Sequence, residues 1–320
     1  MSIGTNIKKR RFELGMSQKD LANKLGYRTR STIAKIESGE NDINQKKLKK
    51  FAEALDTTID ELFYGFQKTS LNKQTLCSTN IQINKSNKVV AIILAGGKSV
   101  RNNHNIPNQF IDILGKPVIM YILETYQNHP AIDDIYIVCL KGWEQIVSSY
   151  IKEYKISKVK GFINAANSGI QSVKNGVDYI SSKYVDKDIV IFQESTRPMV
   201  SIDMITRLLN QTYEKGSANI CQSMKDYVQF TYKNGDVSYI DRNLIVDLQS
   251  PEAYVLSKIK QIFKKAKETN HQLTESCCVM LMYNLGYKIN FIDSYTNNIK
   301  IIRQEDIAVF ITLLKSKMIF

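Results

Sequence analysis

From Val89 onward short apolar runs alternate with helical patterns, and this alternation restricts the chain more than any other feature. Strands are predicted at Val89–Leu94, Asp134–Cys139, Lys158–Ile163, Ile189–Gln193, Ala218–Gln222 and Lys288–Ile292. Helices are predicted at Val118–Gln127, Gln145–Tyr154, Ile170–Ile180, Asp203–Tyr213 and Tyr254–Glu268, with two more near Cys277–Leu285 and Glu305–Lys315. Such an order implies an α/β domain with a mainly parallel sheet covered by helices on both faces. Ligands of such sheets sit outside the carboxyl ends of the strands. The first strand runs into AIILAGGKSVRNNHNIPNQ, residues 91–109. Here small residues let backbone N–H groups close on an anion, and Lys98 and Arg101 add positive charge. It is not a Walker loop, because no G-K-[ST] follows at the required spacing. A second charged cluster, Glu194–Arg197, falls at another strand end.

At 320 residues the chain has room for two domains. No apolar run is long enough to cross a bilayer. The opening MSIGTNIKKRRFELG lacks the apolar core of a secretion signal. The five cysteines (Cys77, Cys139, Cys221, Cys277 and Cys278) form no C-x-x-C pair and no metal spacing. A reducing cytoplasm is the expected compartment. His104, His129 and His271 show no ligand spacing and are expected at the surface, whereas Trp143 is expected to pack. Net charge is +13, and about half of that excess falls before Lys88. A concentrated basic end is expected either of a nucleic-acid binder or of a solvated surface.

Residues 1–66 read as five short helices: about Ile3–Leu14 with Ile7 and Phe12 inward, Gln18–Leu25, Ser31–Glu37, Gln45–Leu55 and Ile59–Phe63. Gly15, Gly26 and Gly39 mark stops, and Ser17 is a suitable N-cap. Two short helices, a glycine turn and a third crossing helix make a helix-turn-helix pattern. The string MSQKDLANKLGYRTRSTIAKIESGE resembles the Cro/repressor type of helix-turn-helix. That resemblance implies binding of double-stranded DNA, with Thr29, Arg30, Ser31, Thr32 and Lys35 facing bases or phosphates and Gln18 at a phosphate. Arg30 is the candidate for guanine readout, and the basic run Lys46, Lys47, Lys49, Lys50 reads as added charge or as a solvated helix face. Residues 67–87 are rich in Ser, Thr, Asn, Gln and Lys and are expected to form a flexible linker.

Residues 88–320 resemble the cytidylyltransferases that activate methylerythritol phosphate or ribitol 5-phosphate with CTP. AGGKSVR…PNQF follows the family's A-G-G-x-G-x-R…P-K-Q-F, and GKP at Gly115–Pro117 also matches. GIQSVKNG, QESTRP, QSMK, DRN, SPEAY, TESCC and NIKIIRQED then fall in the family's order, with DRN in its dimer arm. The resemblance implies a Rossmann-like nucleotidyltransferase fold, a homodimer, no membrane association, and attack of a polyol or sugar phosphate on the α-phosphorus of CTP. It implies catalytic roles for Arg101 and Lys300, to which Lys98 is added here, and a nucleotide site at Ala95, Gly96, Gly97, Ser99, Gln109 and Ser172. Arg197, Ser223, Arg242, Ser250 and Thr274 would bind the acceptor, part of that pocket coming from the neighbouring subunit. Glu194 would hold Mg²⁺ where the family has aspartate. Six positions depart from the pattern: Ser99 for glycine, Asn108 for lysine, Gly169 for arginine, Gln193 for histidine, Glu194 for aspartate and Ile302 for threonine. The missing lysine removes a cation from the triphosphate: if the domain is catalytic, with Lys98 supplying that charge, Asn108→Lys is expected to leave turnover similar or raise it, and if it is a sensor, Asn108→Lys alone is not expected to restore activity. Two functions follow: catalysis with a rearranged charge set, or a regulator that senses CTP or a CDP-polyol.

Overall fold

The computed structural model describes residues 3–41, 43, 45–57, 62, 87–98, 106–224, 228–294 and 298–319. The chain divides into two compact units, Met1–Asn80 and Ile81–Phe320, each with its own core.

In the first unit, helices α1 (Ile3–Glu13), α2 (Gln18–Lys24), α3 (Arg30–Ser38) and α4 (Gln45–Ala54) surround Ile7, Leu21, Ile33, Phe51 and Leu55, all fully buried. Ser17 closes a reciprocal capping box with Asp20, which satisfies two amides at the start of α2. Gly39 ends α3 in the left-handed conformation (φ 83°) that glycine adopts without a Cβ penalty. Phe12, expected inward, is exposed: Arg11 takes the inward position on that turn. Its guanidinium meets Glu37 at 2.7 and 3.1 Å, in a core where neither residue is more than 7% exposed. Gly4 is required by close packing, since a Cβ there would stand 2.1 Å from the Ile36 carbonyl oxygen. Of the fifth predicted helix, Ile59–Phe63, only Leu62 is described, and it is buried in this core. The linker expected at 67–87 lies outside the described residues except Asn87.

The second unit is built on a seven-stranded sheet, in the order β11-β7-β10-β6-β1-β4-β5. Its strands are β1 (Val89–Ala95), β4 (Asp134–Cys139), β5 (Val159–Asn164), β6 (Ile189–Glu194), β7 (Ser217–Ser223), β10 (Val246–Val255) and β11 (Phe291–Asp293). Only β10 runs against the others, between β6 and β7. Central strands buried on both faces read as continuous apolar runs, as IILA and IVIF do here. Helices α5 (Val118–Asn128), α6 (Glu144–Glu153) and α8 (Ile202–Lys215) accompany one core; α7 (Gly169–Ser181), α9 (Leu256–Glu268) and α10 (Cys278–Asn284) accompany the other. Short strands β2 (Asp112–Ile113) and β3 (Lys116–Pro117) pair with each other, and α11 (Gln304–Ile319) closes the chain.

Strand β10 was not predicted. Its stretch carries Asp247, Gln249, Ser250, Pro251 and Glu252, and its pairing with β7 shifts register between Leu248 and Glu252. Polar groups that find buried partners leave no apolar periodicity to read. A separate hairpin, β8 (Gln229–Lys233) with β9 (Asp236–Ile240), sets Phe230 opposite Tyr239 and Tyr232 opposite Val237. All four side chains are exposed. His129 corrects the surface assignment: it is fully buried, its Nδ1 accepts from the Ala131 amide, and its Nε2 lies 3.1 Å from Thr206 Oγ1. His271 is half-buried against Glu275. His104 lies outside the described residues. Trp143 packs as expected, stacked on Phe110 at 4.4 Å. Among the described residues no helix is long and apolar enough to cross a membrane.

Candidate active site

Strands β1 and β6 are parallel neighbours, with Leu94 opposite Glu194, so the two predicted clusters end side by side. Ser195 binds this junction twice, through its amide (3.1 Å) and its hydroxyl (2.7 Å), both donating to the Leu94 carbonyl. Outside these strand ends opens a cavity of about 1050 Å³.

One wall of the cavity is the loop after β1, with Gly96, Gly97 and Lys98. A Cβ on Gly96 would meet Ala165 Cβ at 2.5 Å, so glycine is needed for two loops to pass, whereas Gly97 has open space. Ala95 is buried behind them. Gln109, placed by sequence at the nucleotide, donates its amide to the carbonyls of Ala95 (3.0 Å) and Gly97 (2.9 Å) and thereby shapes the loop. Ser99 and Arg101 lie outside the described residues.

The opposite wall is the start of α7. Ser168 caps the helix by accepting from the Gln171 amide, and Ser172 Oγ accepts from the Ala166 amide. A helix N-terminus facing a cavity attracts anions. Gly169 meets Ser276, whose carbonyl oxygen would lie 3.1 Å from a Cβ. The segment before α10 thus closes on the place where the family pattern has an arginine.

The floor carries the charge. Glu194 bridges two cations: its Oε2 accepts from Arg197 Nε at 2.9 Å and its Oε1 from Lys300 Nζ. Arg197 also donates to the Asn298 carbonyl at 2.8 Å. Burial pushes the Glu194 carboxyl up, but the charges and hydrogen bonds of Lys300 and Arg197 outweigh it and hold the group below its ordinary value. Glu194 is therefore a carboxylate at neutral pH. Ser250 Oγ accepts from Gln193 Nε2 (3.1 Å) and the Glu194 amide (3.2 Å), which fixes the end of β6.

Three predicted acceptor-binding residues do not line this cavity. Ser223 ends β7, Arg242 is exposed beyond the β8–β9 hairpin, and Thr274 is exposed while its neighbours Ser276 and Cys277 line the wall. Lys225, matched by sequence to a family lysine, lies outside the described residues. Sequence reasoning missed the roles of Asn108 and Glu252. Asn108 reads as a lost cation, yet its amide donates to the carbonyls of Ile301 (3.2 Å) and Ile302 (3.1 Å). Glu252, on β10 and lining the cavity, accepts from the Tyr254 hydroxyl at 3.1 Å. Burial pushes its carboxyl up to about 7. The alternation that places Glu252 on the buried face was unreadable without strand β10.

The sign of that shift gives a stability prediction. A folded-state value above the ordinary one near 4.5 means the contribution is complete below about pH 4.5 and is lost as pH rises through about 7. Glu252→Gln should therefore be more stable than wild type at pH 8, by roughly 3 kcal/mol at most, and unfold at a higher temperature. The two should converge at pH 5. Melting curves at both pH values decide it, and a constant difference would contradict a neutral buried acid.

Among the described residues no group of three His, Cys, Asp or Glu side chains could hold a metal. Glu194 alone, partly open to the cavity, suits a Mg²⁺ ion that takes most of its ligands from phosphates and water, the usual habit of that ion.

In the first unit Thr29, Arg30, Ser31 and Lys35 are exposed at and along α3, Thr32 is half-buried, and Ile33 and Ile36 face the core. Gln18, expected at a phosphate, donates its amide to Glu37 at 2.9 Å and joins the buried ion pair.

Comparison with known proteins agrees with both units. Residues 89–316 match the family model of 2-C-methyl-D-erythritol 4-phosphate cytidylyltransferase, and residues 7–62 match a helix-turn-helix model. A ribitol-5-phosphate cytidylyltransferase of Lacticaseibacillus paracasei is 32% identical over 72% of this chain and 99% of its own length. A 2-C-methyl-D-erythritol 4-phosphate cytidylyltransferase of Clostridium botulinum is 28% identical over 68% of this chain and 93% of its own. The crystal structure of the 4-diphosphocytidyl-2C-methyl-D-erythritol synthase of Anaerococcus prevotii shares the fold, with a TM-score of 0.62 at 19% identity over 73% of this chain and 99% of that one. The mainly parallel sheet, the glycine loop and the family match together make the second unit a member of the 2-C-methyl-D-erythritol 4-phosphate cytidylyltransferase family, nucleotidyltransferases, carried behind a helix-turn-helix unit.

Proposed function

We propose that residues 88–320 transfer CMP from CTP to a polyol phosphate of the ribitol 5-phosphate or methylerythritol 4-phosphate type, and that residues 1–66 bind double-stranded DNA. The observation that carries the first part is the Lys300–Glu194–Arg197 cluster beside the Gly96–Lys98 loop in one cavity. An oxygen of the acceptor phosphate attacks the α-phosphorus of CTP; the new P–O bond forms as the bond to pyrophosphate breaks. Such chemistry needs alignment and charge neutralisation rather than a covalent intermediate. Lys300 and Arg197, which pair with Glu194, turn to the phosphates when substrate enters. Lys98 and Arg101 take the triphosphate end, with backbone groups of Ala95–Ser99. Ser172 orders the wall at the start of α7, and Ser250 that at the end of β6. Bound Mg²⁺, held by Glu194, would add positive charge to the phosphate oxygens.

The exposed apolar face of the β8–β9 hairpin supports a homodimer through this arm. Arg242 at its base, with Ser223 and Thr274, would then complete the partner's acceptor pocket. Calorimetry tests the nucleotide site: CTP should bind more tightly than ATP and gain from Mg²⁺, and equal affinities would count against it. A gel shift at two salt concentrations tests the DNA unit, whose binding should weaken steeply with salt. The second reading, a CTP or CDP-polyol sensor, is favoured by Asn108, which leaves the triphosphate one cation short.

A further inference from the structure

We propose that the consecutive carboxamides of Asn108 and Gln109 form a positioning staple that sets Lys300 against the Gly96–Lys98 loop. Resting on the transfer reading above, this makes Asn108 a residue that acts on the reaction through Lys300. Both side chains are buried, Asn108 at 5% and Gln109 at 1% exposure, on a three-residue 3-10 turn (Asn108–Phe110). A carboxamide has two N–H donors, and each here serves two carbonyls of a different segment. Gln109 takes Ala95 and Gly97 at the head of the cavity; Asn108 takes Ile301 and Ile302, directly after Lys300.

The segment that carries Lys300 belongs to no strand, so its place depends on such contacts. Its Ile301 amide donates to the Thr196 carbonyl at 2.8 Å, in the turn between Glu194 and Arg197. The amides of Ile302 and Arg303 donate to Asp306 at 2.8 Å. With Asn108 on the remaining carbonyls, the backbone beside Lys300 is held from three directions. One short turn therefore ties the nucleotide loop to the cation that faces Glu194. The staple gives the opposite expectation from charge counting. Asn108→Lys would place an ammonium in a buried space and surrender the paired donors, so it should lower turnover, not raise it.

The test is a double-mutant cycle in the full-length protein with CTP and ribitol 5-phosphate. Asn108→Ala should lower kcat about 10- to 100-fold while KM for CTP changes less than about threefold, because a misplaced group affects alignment more than binding. In a Lys300→Ala background the same change should cost less than about threefold further, since groups that act as one unit are not additive. Effects that multiply would overturn the proposal and leave Asn108 merely structural. Asn108→Asp keeps the size but cannot donate, and should be no better than Asn108→Ala; wild-type activity in Asn108→Asp would also overturn it. A second readout does not require turnover. Acetylation of Lys300 by acetic anhydride, read by mass spectrometry, should respond to CTP in wild type and lose that response in both Asn108 variants while CTP still binds. An unchanged response would overturn the staple. Absence of turnover in wild type would instead refute the transfer reading, with the labelling result still deciding the staple.

Discussion

Lys300→Ala is expected to lower the rate of CMP transfer about 10²- to 10³-fold, the usual cost of removing one preorganised group that stabilises developing charge. CTP affinity should fall far less. Lys300 is paired with Glu194, so part of its interaction with phosphate replaces an existing ion pair and does not add to ground-state binding. Lys300→Arg keeps the charge but not the reach, and should recover only part of the rate. Steady-state kinetics with CTP varied at saturating acceptor separate the two effects. A kcat within threefold of wild type in Lys300→Ala would remove this residue from the chemistry.

Glu37→Ala should unfold the helix-turn-helix unit and leave the second unit intact. The Arg11 guanidinium gives two donors to Glu37 and a third to the Met16 carbonyl, and Gln18 completes the second carboxylate oxygen. Removing one partner of a buried pair leaves an uncompensated charge and costs about 3–5 kcal/mol. A small domain has only about 5 kcal/mol or little more to lose. Thermal unfolding of the full chain should then lose its N-terminal contribution, and DNA binding should go with it. Pyrophosphate release should be unaffected. A variant with wild-type helix content and DNA binding would show the pair to be dispensable.

Much of the α/β unit was legible because its central strands are apolar on both faces and its helices have one apolar stripe. β1, β4 and β6 and helices α5 to α8 therefore fall within two residues of their predicted bounds. The helix-turn-helix was legible from its caps, with Ser17, Gly15, Gly26 and Gly39 all at helix ends. The failures share one cause. Phe12, His129 and strand β10 involve polar groups buried with partners far away in sequence, or an apolar ring left outside because such a pair took its place. Asn108 is the sharpest case. Compared with a family pattern it is a missing charge; in the fold it is a donor to residues nearly two hundred positions away. The cluster of Glu194, Arg197 and Lys300 could be named from motifs, but their mutual pairing needed the long-range bonds from Ile301 to the Thr196 carbonyl and from Arg197 to the Asn298 carbonyl.

Pyrophosphate release from CTP by the full-length protein with Mg²⁺, measured against ribitol, erythritol, glycerol and 2-C-methylerythritol phosphates, bears most directly on the claim that the second unit catalyses transfer. Release that depends on one of these acceptors, with a stoichiometric CDP-polyol product, is the expected result. Release no faster than the no-enzyme control with all four, in protein shown to bind CTP, would contradict it and leave the cavity as a nucleotide sensor joined to a helix-turn-helix unit.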